Sequence, residues 1–129
     1  MSVLMINGTG DPLIPFEGGD VRLLGIGGRG QVLKTTETVQ RWVQHNGCKT
    51  EPQVEELPDA DPNDGTRVQR IVYGNGREGA EVILYKIAEG GHTWPGGIQY
   101  LSPKLVGRVC RDIKATEIIW EFFSRHQRN

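Results

Sequence analysis

Two short apolar runs, each ending in a glycine-bearing loop, limit how this chain can fold. Val3, Leu4, Met5 and Ile6 form the first, which closes on Asn7-Gly8 and the loop NGTGDPLIP. EVILYKIA at residues 81–88 forms the second and runs straight into GGHTWPGG at 90–97. The continuous run at 3–6 is the pattern of a strand covered on both faces, as in a parallel sheet. In open α/β sheets, functional loops collect at the carboxyl ends of such strands. Eighteen glycines, grouped mainly at 18–30, 74–79 and 90–97, add several tight loops between the regular elements.

The remaining elements follow from periodicity and caps. Thr35 or Thr36 can cap a helix that places Val39, Trp42 and Val43 on one face, and Asn46-Gly47 supplies its stop. Residues 49–66 carry six acids and three prolines and read as a solvated loop. VQRIVYG at 68–74 and the run at 81–88 are joined by NGREGA, which predicts an antiparallel hairpin. A final helix is expected from an Asp112 N-cap, with Ala115, Ile118, Ile119, Phe122 and Phe123 on one face. Arg125, His126 and Arg128 then suit the negative end of its dipole. The expected fold class is α/β: one domain over 1–129, with a half-sheet of about three strands, hairpin included, flanked by helices. The 3–6 strand would keep an unpaired edge, so a homo-oligomer, a swapped assembly or a bound partner is expected.

Composition excludes more than it assigns. A formal net charge of -1 gives no pull toward nucleic acid or an anionic membrane, and neither is expected as a partner. No apolar run reaches membrane-spanning length, and MSVLMI lacks the charged, extended form of a signal peptide. Cys48 and Cys110 permit one disulfide but form no CxxC. No HxxxH or Cys/His cluster is present, so no metal and no cofactor are expected. GIGGRG at 25–30 matches the dinucleotide fingerprint literally, but the helix that should open within it begins nearer Thr36, so it reads as a flexible loop. His45 and His126 lie near helix ends, where dipole and solvent account for them.

The chemistry resides in the two loops that follow the apolar runs, one presenting Asp11 and the other His92. An aspartate that accepts a hydrogen bond from histidine Nδ1 fixes the tautomer and leaves Nε2 free to take a proton from a nucleophile. Asp before His along the chain also keeps the order of an α/β-hydrolase triad. The alternatives are a turn histidine bound to backbone at His92 and an Asx-turn residue before Pro12 at Asp11, the latter compatible with a triad role. Trp94 is either a packing residue or a substrate contact.

NGTGDPLIPFEGG and EGGHTWPGG resemble the aspartate and histidine loops of the polyhydroxybutyrate depolymerase and feruloyl esterase group of α/β-hydrolases. The helix with Trp42 leading to NGC at 46–48, and ATEIIWEFF at 115–123, resemble the C-terminal half of the same group. The resemblance implies a serine carboxylesterase with Asp11 as triad acid, His92 as triad base and Trp94 as a pocket wall, acting on an ester substrate. It also implies a secreted or periplasmic location, and a cysteine near position 74 to pair with Cys48. The chain departs from the group in having Asn7-Gly8 where His-Gly is common, and Tyr73-Gly74-Asn75 in place of that cysteine. It has no Gly-x-Ser-x-Gly elbow: Ser2, Ser102 and Ser124 are its serines, and none lies between paired glycines. The nucleophile must therefore come from a missing N-terminal half or a second chain. The alternative is an inactive fragment or pseudoenzyme module that binds a partner or ligand.

Overall fold

The computed structural model describes residues 1–127, so the predicted dipole role of Arg128 lies outside the described residues. Its centre is a four-stranded mixed sheet in the order β1 (Val3–Gly8), β6 (Val82–Ala88), β5 (Arg67–Tyr73), β4 (Gln53–Glu56). β1 runs parallel to β6, while β5 and β4 continue antiparallel. A short hairpin of β2 (Gly19–Asp20) and β3 (Gln31–Val32) forms a separate two-stranded sheet. The described residues also form three α-helices, α1 (Thr35–Asn46), the single turn α2 (Pro103–Val106) and α3 (Ala115–Arg125), and a 3-10 turn at Arg77–Gly79. The architecture is mixed α/β.

The apolar run at 82–87 becomes a central strand because both of its faces are covered. Val82 and Leu84 pack with Phe16, Val39, Val43 and Cys48 on the α1 side. Ile83, Tyr85 and Ile87 pack with Val68, Cys110, Ile113 and Phe122 on the α3 side. Alternating side chains of one strand thus feed two cores, which is why the run shows no polar-apolar alternation. Burying Val39 and Val43 contributes roughly 1.5–3 kcal/mol each and holds α1 to the sheet. Gly47 ends α1 in the left-handed conformation expected of Asn46-Gly47, its N–H bonded back to Gln44.

Several sequence expectations are corrected. β1 is only half-buried along most of its length, because it lies at the sheet edge and has no neighbour beyond it among the described residues. The acidic stretch at 49–66 is not all loop. Gln53–Glu56 pairs with β5 as an edge strand, making the sheet four strands wide. Thr35 is the first residue of α1 rather than its cap, and Lys34 takes the cap position without a side-chain bond. Asp112 does not cap α3 either; its carboxylate accepts the N–H of Asp61 at 3.0 Å, and Lys114 takes the cap position. On α3, Phe122 is buried but Phe123 is 62% exposed, beside Trp120 at 73%. His126 is tied through Nε2 to Glu81 at 2.8 Å. GIGGRG opens no helix and instead belongs to the β2–β3 connection, where Leu23 and Ile26 pair across a tight turn. Cys48 and Cys110 are free, and they lie in cores on opposite faces of the sheet, so the single disulfide that two cysteines permit is not formed.

Candidate active site

Neighbouring parallel strands β1 and β6 end side by side, with Gly8 opposite Ile87. Their two loops therefore leave the sheet together, and glycine lets them touch. A β-carbon on Gly8 would overlap the Gly90 carbonyl, and one on Gly10 would stand 3.0 Å from the Glu89 carbonyl oxygen. Hydrogen bonds stitch the same seam: Thr9 N–H to Ile87, Gly10 N–H to Gly90, and Glu89 N–H to the Thr9 hydroxyl, each at 2.9 Å.

Across this seam His92 Nδ1 faces Asp11 Oδ2 at 2.9 Å. The second carboxylate oxygen accepts the N–H groups of Leu13 and Ile14 at 2.8 and 2.9 Å, so the turn at Pro12 holds the carboxylate by its own backbone. Asp11 thus forms the Asx turn and the histidine contact at once. The aspartate side chain is 11% exposed and that of His92 41%, an arrangement with the acid inside and the base toward solvent. A carboxylate only accepts, so Nδ1 carries the proton in this contact and Nε2 is turned away from Asp11.

His92 lines an open cleft of about 400 Å³ walled by Ile6, Ile14, Ile87, Trp94, Pro95 and Tyr100. Asp11 and His92 are the charged or titrating groups of that lining apart from the Tyr100 phenol. Trp94 is 54% exposed and hangs on a bond from its indole N–H to the Thr116 hydroxyl at 3.2 Å. The structure thus places Trp94 on the cleft lining, anchored to Thr116.

No serine lines the cleft. Ser2 accepts the N–H of Glu81, Ser102 caps α2 by accepting from Lys104 N–H, and Ser124 donates to the Trp120 carbonyl within α3. Sequence reasoning did not find Gln99 and Tyr100, which bond the backbone around His92; contacts between a side chain and a distant peptide leave no periodic signal. It also missed the grouping of Asp64, Cys110 and Asp112, whose donor atoms lie within 4.8 Å of one another. Asp64 is already engaged there by Thr66 N–H, the Thr66 hydroxyl and Arg111 N–H. Burial pushes its pKa up, but those bonds and the Arg111 charge outweigh burial and leave it below the usual carboxylate value.

The chain is similar to a protein of Nocardia uniformis subsp. tsuyamanensis described as "Putative esterase NocK", with 32% identity over 125 residues. That match covers 93% of this chain and 36% of the Nocardia protein, so the chain spans about a third of that relative's length. The relationship is esterase-like. No protein-family profile matches the chain. No solved structure matches it.

Proposed function

We propose that the chain supplies the aspartate and histidine of a Ser-His-Asp triad in a carboxylic ester hydrolase, with the serine contributed from outside these residues. The observation that carries this reading is the 2.9 Å contact between His92 Nδ1 and Asp11 Oδ2 at the ends of two adjacent parallel strands, beside an open, mostly apolar cleft. Asp11 holds the tautomer, and His92 Nε2 takes the serine proton as the hydroxyl attacks the ester carbonyl. His92 then returns the proton to the departing alkoxide, and activates water in the same way to release the acid. Trp94 would form one wall of the acyl or alkyl pocket.

The likeness of the loops to the polyhydroxybutyrate depolymerase and feruloyl esterase group supports placing this sheet in the C-terminal half of an α/β-hydrolase domain. The esterase-like relative, nearly three times longer, supports a nucleophile and oxyanion hole lying in the remainder. The partner would be that remainder or a second chain meeting the exposed β1 edge. A second reading, a binding module without catalysis, is favoured by the engagement of all three serine hydroxyls away from the cleft.

The deciding experiment transplants this chain into the Nocardia relative in place of its matching stretch and measures hydrolysis of p-nitrophenyl butyrate. Turnover is expected, with fluorophosphonate labelling on a serine outside the transplanted stretch, and His92→Ala should lower kcat by about 10⁴–10⁶. The isolated chain should show neither turnover nor labelling. A labelled serine in the isolated chain, or a chimera indifferent to His92→Ala, overturns the reading. The downfield Nδ1–H proton signal of the isolated chain, lost in Asp11→Asn, checks the pair independently of how the chimera folds.

A further inference from the structure

His92 is held by its peptide as well as by its ring. Its N–H donates to the Val106 carbonyl at 2.6 Å, and its carbonyl accepts the Tyr100 hydroxyl at 2.7 Å. Both partners belong to the segment at 98–109, which is irregular apart from the single turn of α2. Gln99 organises that segment. Its Nε2 donates to the carbonyls of Leu101 and Gly107 at 2.8 and 2.9 Å, and its Oε1 accepts the N–H of Val109 at 3.1 Å. One side chain therefore satisfies three backbone groups that a strand ladder would otherwise have to pair.

Gly107, whose carbonyl Gln99 holds, lies against both catalytic-type loops. A β-carbon on it would stand 3.1 Å from the Gly10 carbonyl oxygen and 2.5 Å from the Gly91 Cα, next to Asp11 and His92 respectively. The segment thus touches the aspartate loop and the histidine loop at one residue. His92, with 41% of its side chain exposed, is thus held at its ring by Asp11 and at its main chain by Val106 and Tyr100, and both sets of bonds constrain where the ring sits.

We infer that Gln99 and Tyr100 are positioning residues for His92. Gln99 sets the placement of Gly107 between the two loops, and Tyr100 pins the His92 carbonyl, so that Nδ1 stays in line with Asp11 Oδ2. The catalytic meaning of this role rests on the triad reading above; its geometric content is testable on the chain itself.

The test reads the His92 Nδ1–H proton and its exchange with solvent by NMR in the purified chain. Tyr100→Phe removes one hydroxyl and Gln99→Leu removes three bonds at similar side-chain size. Gln99→Glu keeps the acceptor for Val109 and loses the two donated bonds. Expected are exchange faster by about fivefold in Tyr100→Phe, by more than tenfold in Gln99→Leu, and an intermediate effect in Gln99→Glu. Val43→Ala, on the buried face of α1, should lower Tm without changing the exchange, which separates positioning from general loss of stability. A wild-type signal that is unchanged in Tyr100→Phe and Gln99→Leu overturns this inference and leaves the Asp11–His92 pair standing. Absence of the signal from the wild-type chain itself removes the pair and this inference with it. Should Gln99→Leu fail to fold, the single-atom change in Tyr100→Phe decides the matter alone.

Discussion

Gly8 and Gly90 meet main chain to main chain, with no room for a β-carbon between them. Gly8 ends β1, three residues before Asp11, and Gly90 opens the turn that carries His92, so this contact sets how closely the two loops approach. Gly8→Ala should push the loops apart. The expected loss is about 1–3 kcal/mol, typical of an overpacked site, with weakening of the Nδ1–H signal. Chemical denaturation and proton NMR on the same sample measure both.

Asp11→Asn keeps an oxygen for the N–H groups of Leu13 and Ile14 but cannot accept a full charge-assisted bond from His92. Stability should change by about 1 kcal/mol or less, while kcat in the transplanted chimera should fall by about 10⁴. A variant that melts normally and retains turnover would remove Asp11 from the mechanism.

Asp64 gives a pH signature unrelated to the Asp11–His92 pair. Its pKa is depressed in the folded chain, so its contribution to stability is complete above the unfolded value of about 3.9 and is lost as pH falls through the folded value. Asp64→Asn should therefore lower Tm at pH 7, and the gap from wild type should close as the pH is taken well below about 4. A gap that stays constant down to acid unfolding would contradict this.

The two cysteines should behave as buried thiols. Burial raises the pKa of both Cys48 and Cys110, which slows attack by thiolate-directed reagents. Titration with a disulfide-exchange reagent should count two thiols after denaturation and release them slowly from the native chain. Intact mass without reductant should show no internal disulfide, since the sheet separates the two sulfurs.

Trp120 and Phe123 are exposed on α3, the helix that packs beside edge strand β1, and give the isolated chain exposed apolar surface. Light scattering should find self-association at high micromolar concentration, reduced in Trp120→Lys combined with Phe123→Glu. A monodisperse monomer throughout would argue that this surface needs no cover.

Elements with strong local chemistry were legible in the sequence. Strands β1, β5 and β6, the hairpin between the last two, and both long helices follow from apolar runs, periodicity and Gly47. β4 was not, because Gln53–Glu56 exposes every side chain and owes its form to backbone pairing with β5. The misassigned cap at Asp112 has a similar cause: its carboxylate is drawn to Asp61, a partner 51 residues away that no local pattern announces. At the site, Asp11, His92 and Trp94 were named from their loops, and the structure brings all three to one cleft. Gln99 and Tyr100 were passed over for the same reason as β4, since what they bind is main chain brought near only by the finished fold.

Asp11 and His92 are 81 residues apart, yet each departs from its own strand of a directly bonded parallel pair. Apart from β6 itself, the chain between them, including α1, the acidic connection and the outer strands, is looped out to the sides of that pair. Changes in length within 49–56 would therefore alter the far edge of the sheet while leaving the aspartate-histidine distance alone, whereas Asp61 and Asp64 tie the rest of that connection to Asp112 and Arg111. The layout leaves the reach between the two side chains to the β1–β6 pair and keeps the far strand, β4, out of it.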